Sequence, residues 1–251
     1  NKKFKIITAL SVFYDLANPN KFLSDAEEIL HTDGILLIEF ADLASIVKFN
    51  MFDTFCHEHL EYYTLKIISK MCLKNKLRLF DVRLNNINGG SIQLFICKDK
   101  AKYKTNQSSI EKIFKIERKL KLEKKETFIK FIKKIDKIKK KTTTFINIAK
   151  KKGKTIHCYG ASTKGNVLLQ YFKLNNKTID YVAERNPNKY NLYTPGSRIP
   201  IISEKKSRSM QPDYYLVLPW HFKKEILKRE NKAIKKGSKF IFPLPDFRTF
   251  G

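Results

Sequence analysis

The densest group of reactive side chains lies in the run Asp53-Thr54-Phe55-Cys56-His57-Glu58-His59-Leu60-Glu61-Tyr62-Tyr63. Two histidines, two glutamates and two tyrosines fall within seven consecutive residues there. An imidazole moves protons near neutral pH, and a carboxylate beside it sets its tautomer and raises its basicity. In an extended segment His57 and His59 face one way and Glu58 the other. Proton abstraction is one reading of this pattern. A satisfied polar turn is the plain alternative, and a His-x-His metal site with no third ligand is the weakest.

A second group spans residues 155–172: a strand, then Gly160-Ala161-Ser162-Thr163-Lys164-Gly165-Asn166, then an apolar helix. Small residues at a helix start let backbone amides approach an anion, with Lys164 and the hydroxyls as further donors. The spacing is neither GxGxxG nor GxxxxGK[ST], which excludes a P-loop. Glu184 ends the following strand, where an acidic residue can take a ribose hydroxyl. In a third group, Leu218-Pro219-Trp220-His221-Phe222, Trp220 offers a stacking surface for a base or sugar and His221 a hydrogen bond. Arg198 and Tyr193 are expected on the same side as phosphate and sugar contacts. A ligand-free turn and a packed aromatic are the plain alternatives.

The elements that must position these groups follow from periodicity. Residues 1–40 read strand, helix, strand: Ile6–Leu10 and Ile35–Glu39 as buried parallel strands, with a helix between them ended by Asp33-Gly34. Phe22, Leu23, Ala26, Ile29 and Leu30 share one face of that helix. A polar, aromatic-rich connection leads to a helix at about 64–75 and a hairpin, Leu77–Arg83 with Ser91–Cys97, around the turn at Asn85–Gly90. From 107 to 151, apolar residues at helical spacing (Ile110, Ile113, Phe114; Phe128, Phe131, Ile132, Ile135, Ile138) predict two amphipathic helices or one long one. Residues 154–247 alternate strand and helix, implying a parallel sheet. The fold class expected is α/β: a partial doubly wound domain over 1–105, a helical linker over 106–153, and a Rossmann-like substrate-binding domain over 154–251.

Composition bounds the function. The chain has 251 residues, is 42% hydrophobic with 19 Phe and 11 Tyr, and carries a formal charge of +27. That content supports packed cores and excludes disorder throughout. Lys far outnumbers Arg, and the excess lies between Lys98 and Lys154 on the solvated side of helical patterns. The charge therefore reads as a solvated surface that attracts phosphate-bearing ligands, with no nucleic-acid partner expected. Cys56, Cys72, Cys97 and Cys158 form no CxxC pair, so reduced thiols in a cytoplasmic protein are expected. No apolar run reaches the roughly 20 residues that span a bilayer, and no membrane partner is expected. The start at Asn1, running straight into strand-like sequence, suggests a fragment.

Five stretches resemble the sugar C-methyltransferases in residues, order and spacing: Phe52–Leu65 (FDTFCHEHLEYYTL), Asn88-Gly89-Gly90-Ser91, Tyr159–Leu169 (YGASTKGNVLL), Asp180–Tyr190 (DYVAERNPNKY) and Asp213–Phe222 (DYYLVLPWHF). The resemblance implies methyl transfer from S-adenosylmethionine to a carbon of a nucleotide-linked keto-deoxysugar. It also implies three parts, a zinc-binding N-terminal module, a donor-binding domain and a C-terminal α/β domain. In that alignment Asn1 falls inside the donor domain, so the donor's glycine-rich loop and the zinc ligands would precede it, and a separate donor-binding half is a possible partner. His59 resembles the general base that removes the proton α to the sugar ketone, and Glu58 the residue that assists it. Tyr62, Tyr63 or His57 would supply a donor to the enolate oxygen, with no metal at that site. Cys56 and Asp15 stand where many members have tyrosine and histidine. Two other functions fit these residues: O- or N-methylation of a glycan or phosphorylated acceptor, and a non-catalytic nucleotide-sugar-binding module.

Overall fold

The computed structural model describes residues 3–251. It divides into two compact units, one of the described residues up to Phe49 with His57–Ile129, the other of Asn50–Cys56 with Lys130–Gly251.

In the first unit the elements run β1 (Phe4–Leu10), α1 (Pro19–Ile29), β2 (Leu30–Phe40), α2 (Leu43–Lys48), α3 (Leu65–Lys74), β3 (Leu77–Asn85), β4 (Ser91–Lys98) and α4 (Gln107–Leu120). The sheet order is β1-β2-β4-β3; β1 and β2 are parallel, and β4 runs antiparallel to both β2 and β3. The expected hairpin is present as β3–β4. α1 starts at Pro19 because the Asn18 side chain caps the Lys21 amide and proline suits the first turn. Leu23, Leu36, Ile38, Ile68, Leu94 and Ile113 join in one apolar core.

Two expectations fail here. Asp33-Gly34 does not end α1; the helix stops at Ile29 and β2 runs through Gly34. A Cβ on Gly34 would stand 2.8 Å from the Phe4 carbonyl, so the glycine serves close strand approach, beside the register shift between Phe4 and Ile6. Nor is β1 buried. It is an edge strand, and Phe4, Ile6 and Leu10 are half or more exposed. Sequence periodicity also missed α2, whose buried residues Ala44–Val47 form a run with no solvent face.

Two helices replace the ambiguous stretch 107–151: α4, and α5 (Lys125–Lys151). They separate at Lys121, which adopts the left-handed conformation after α4. Residues from Lys130 onward along α5 belong to the second unit, with its buried stripe Phe131, Ile135, Ile138, Thr142, Ile146 and Ala149.

The second unit continues β5 (Ile156–Tyr159), α6 (Thr163–Tyr171), β6 (Tyr181–Glu184), β7 (Ile201–Ser203), α7 (Glu204–Ser209), β8 (Tyr214–Val217), α8 (Lys223–Arg229), α9 (Asn231–Lys235), β9 (Lys239–Phe242) and β10 (Arg248–Phe250). Its sheet order is β10-β9-β8-β5-β6-β7, parallel except for the antiparallel edge strand β10. The chain leaves β5 toward β6 on one side and returns to β8 on the other, so the strand order reverses between β5 and β8. Crevices at such a reversal, outside the carboxyl ends of the strands, are where doubly wound sheets bind ligands. α8 and α9 are separated at Glu230, whose buried carboxylate accepts from Tyr159 and Arg208. Among the described residues no helix is long and apolar enough to cross a membrane.

Candidate functional site

The reactive run splits between the units, so each unit carries its own constellation. In the first, β1 ends in Ser11 and a short 3-10 turn, Phe13–Asp15, with Phe13 and Tyr14 buried. The Tyr14 carbonyl accepts from the amides of Leu60 (2.9 Å) and Glu61 (3.2 Å), tying the His59 segment to the end of β1. His59 is half-buried, its ring 4.1 Å from that of Tyr14, centroid to centroid. Its Nδ1 is buried without a hydrogen-bond partner.

Residues 57–58 form a turn rather than an extended segment, so the expected alternation does not apply. His57 points to solvent, its side chain 87% exposed and its Nε2 4.0 Å from Glu58. Asp15, after the first strand, is a second carboxyl near His59. Burial raises its pKa, the His59 charge opposes that, and Glu58 adds to it. By sequence Asp15 is only a departure from the family pattern; its electrostatic coupling to His59 depends on the fold.

Tyr62 is half-buried and donates to the His59 carbonyl at 3.2 Å, bracing the backbone of the same residue. Tyr63 packs against Phe13 and Phe40, and its hydroxyl is buried with no partner. Burial, helped by Glu61, pushes its pKa up to about 12, so at neutral pH it keeps its proton as a donor.

In the second unit the turn after β5 is built by Gly160, with φ +84° and Pro219 so close that a Cβ would stand 2.9 Å from its Cδ. The expected anion cradle is largely satisfied from within. Gly160 donates to the Ala183 carbonyl, and Ala161 donates to Glu184 Oε2 at 2.6 Å. Ser162 caps α6 by accepting from the Gly165 amide at 3.0 Å, and Asn166, half-buried on α6, gives its amide to the Ser162 carbonyl. Thr163 is exposed. Glu184, expected to take a ribose hydroxyl, instead accepts from three backbone amides: Ala161, Arg185 and Asn186. It pins the turn, and one acceptor position of its carboxylate remains.

Trp220 is not an open stacking surface. It is 7% exposed, and its Nε1 donates to Asp53 Oδ2 at 2.9 Å. Lys164 Nζ lies 3.5 Å from the same oxygen, with the Asp53 side chain fully buried and that of Lys164 18% exposed. Asp53 Oδ1 has no partner. His221, half-buried, is pushed down to about 4 by burial, the Lys164 charge adding to it, and so is neutral at pH 7. Segment Asn50–Cys56 reaches this place by packing Phe52 on Tyr171 and Phe172 and by an Asn50 hydrogen bond to the Pro245 carbonyl.

Arg198 is not on this side. The Ser197 carbonyl accepts from Asn176, before β6, and the Pro195 carbonyl from Gln170, at the end of α6. The Tyr193–Arg198 loop therefore sits at the amino ends of the strands, opposite Gly160, Glu184 and Trp220. Any connection between the parallel strands β6 and β7 must return to their amino ends, and this loop lies on the stretch just before β7. Among the described residues no group of three His, Cys, Asp or Glu is arranged to hold a metal ion.

Residues 86–245 match the family described as C-methyltransferase C-terminal domain. Over 245 residues the chain is 29% identical to "C-methyltransferase NovU" of Streptomyces niveus, covering 98% of this chain and 58% of that relative's length. The matched segment contains the whole β5–β8 reversal with Gly160, Lys164, Glu184 and Trp220, and it takes up more than half of the chain. The chain therefore belongs to the C-methyltransferase family.

Proposed function

We propose that the protein transfers a methyl group from S-adenosylmethionine to a carbon of a nucleotide-linked keto-deoxysugar, with His59 as the general base. The observation that carries this reading is the presence, in one unit, of a buried imidazole nitrogen lacking a partner, on His59, and a buried tyrosine hydroxyl lacking one, on Tyr63. Unsatisfied buried polar groups are rare, and two of them within the segment His57–Tyr63 suit a ligand that supplies the missing bonds.

A C–H next to a ketone is acidic enough for imidazole if the developing enolate oxygen is stabilised. His59 takes the proton; the electron pair moves onto the carbonyl oxygen; Tyr63, whose hydroxyl stays protonated, donates to that oxygen. Tyr62 and Tyr14 hold the His59 backbone and ring during the step. The α carbon of the enolate would then take the methyl group, its new bond forming as the methyl–sulfonium bond breaks and the sulfur leaves as a neutral thioether. The turn after β1, Ser11–Asp15, contains no glycine and buries Phe13 and Tyr14, so no residue described here is assigned to the donor. The exposed apolar residues Phe4, Ile6 and Leu10 of β1 support a further donor-binding part covering that edge. The β5–β8 reversal of the second unit is the binding place for the nucleotide-linked group. Four free cysteines suit a reducing, cytoplasmic setting.

The test is product analysis with a carbon-13-labelled methyl donor and a nucleotide-linked 4-keto-6-deoxyhexose, using the full protein. Label on a ring carbon is expected. Label on oxygen or nitrogen would overturn the reading, as would an unchanged rate after His59→Gln.

A further inference from the structure

The carboxyl edge between β5 and β8 holds carboxylates where an anion site would hold none. Lys164, in the first turn of α6, is the cation a phosphate would seek, yet its ammonium faces the Asp53 carboxylate at 3.5 Å. Trp220 holds that carboxylate in place through a 2.9 Å hydrogen bond from the turn after β8. Asp53 thus links the two turns that flank the reversal. Beside it, Glu184 places a second carboxylate against the turn after β5, and Lys189 donates to the Ala161 carbonyl there at 2.6 Å. Two acids and two lysines thus stand around this corner: burial raises the Asp53 pKa, the Lys164 charge and the Trp220 hydrogen bond oppose that rise, and the neighbouring His221 is uncharged.

A phosphate drawn to Lys164 would also stand within a few ångströms of Asp53, whose repulsion removes most of the attraction at this range. A hydroxyl behaves differently. It is uncharged, accepts from an ammonium with its oxygen and donates its proton to an acceptor. The fully buried Asp53 Oδ1 and the buried His221 Nδ1 are two polar atoms there without partners. Paired acid and base around an uncharged imidazole is the chemistry of polyol recognition, not of diphosphate recognition.

We propose that the Lys164 corner of the β5–β8 reversal is a sugar-hydroxyl subsite, and that Asp53 is the residue that sets this specificity by neutralising Lys164. The proposal rests on the nucleotide-sugar reading above and names which part of such a ligand meets this corner. Asp53 acts through Lys164 and is a positioning residue. The hydroxyls belong to the transferred hexose or to the ribose, and the probes below separate the two.

The experiment is titration calorimetry of the full chain with inorganic pyrophosphate, UDP and UDP-glucose, for the unsubstituted protein, Asp53→Asn, Lys164→Met and the double variant. Asn keeps an oxygen for Trp220 and removes the charge. Asp53→Asn is expected to gain about tenfold or more in pyrophosphate affinity, a gain lost in the double variant, because the Asp53 charge no longer repels a phosphate drawn to Lys164. A misfolded protein does not gain affinity, so this readout separates specificity from damage. Lys164→Met is expected to leave pyrophosphate affinity within about twofold and to weaken UDP-glucose about tenfold. Equal weakening of UDP assigns the hydroxyl to ribose, and unchanged UDP assigns it to the hexose. Loss of pyrophosphate affinity in Lys164→Met would overturn the proposal, as would an Asp53→Asn protein with no gain. Should the unsubstituted protein bind neither UDP nor UDP-glucose, the nucleotide-sugar reading fails, while the pyrophosphate gain still decides the role of Asp53.

Discussion

The ring of His59 lies 4.1 Å from that of Tyr14, tilted by 46°, and the Tyr14 carbonyl takes the two amides that follow His59 in the chain. The end of β1 therefore holds His59 by its ring and by its backbone. His59→Gln is expected to lower methyl transfer by about 10²–10⁴-fold, the usual contribution of a positioned base. The melting temperature should move by only a few degrees, because the substituted side chain is half-buried and its Nδ1 makes no hydrogen bond. Turnover with labelled donor and a thermal melt check both.

Tyr63→Phe separates chemistry from packing. The hydroxyl it removes is buried without a partner, so its loss should leave stability unchanged or raise it by up to about 1 kcal/mol. Activity should fall about 10²–10³-fold if that hydroxyl stabilises the enolate oxygen. Equal turnover of the variant and the parent would remove Tyr63 from the mechanism.

Acid should weaken the second unit through its histidines. Burial pushes His157 down to about 4, despite the opposing charge of Asp180, and its Nδ1 pairs with Ser207 at 2.8 Å. In the unfolded chain the same ring titrates near 6.5. Above that value neither state carries the proton and the full contribution is present. Between about 6.5 and 4 only the unfolded state takes the proton, so stability falls with pH. For His157, 2% exposed, the loss is on the order of 3 kcal/mol by pH 4, and His221 acts in the same direction. Urea midpoints measured from pH 7.5 to 4.5 should decline, and His157→Gln should flatten part of that decline.

Gly160→Ala tests the turn itself. Its φ of +84° and the 2.9 Å approach of Pro219 Cδ both oppose a Cβ. A loss of about 1–3 kcal/mol is expected, read in a denaturant titration. Gly153→Ala, also at positive φ (+70°) but with nothing within 4 Å of a Cβ, should cost less.

Local pattern determined much of this protein. The apolar spacing of α3, α4 and α5, the Asn-Gly turn chemistry between β3 and β4, and the strand–helix alternation after residue 154 all act within a few residues of themselves, so they are legible in order along the chain. The reactive run that includes His59 was legible for the same reason, as a concentration of residue types. Other features needed the fold. Trp220 meets Asp53 across 167 positions, and Glu117 caps the start of α3 from 52 positions away. Both pairings are set by which strands lie side by side and by which loops share an edge, and periodicity carries no trace of either. Gly34 read as a helix stop because glycine punctuates helices more often than it relieves crowding inside a strand; only the approach of Phe4 shows which applies. Residue chemistry could be read from sequence, but whether Lys164 is a phosphate ligand or half of an ion pair depends on the carboxylate that tertiary structure sets beside it.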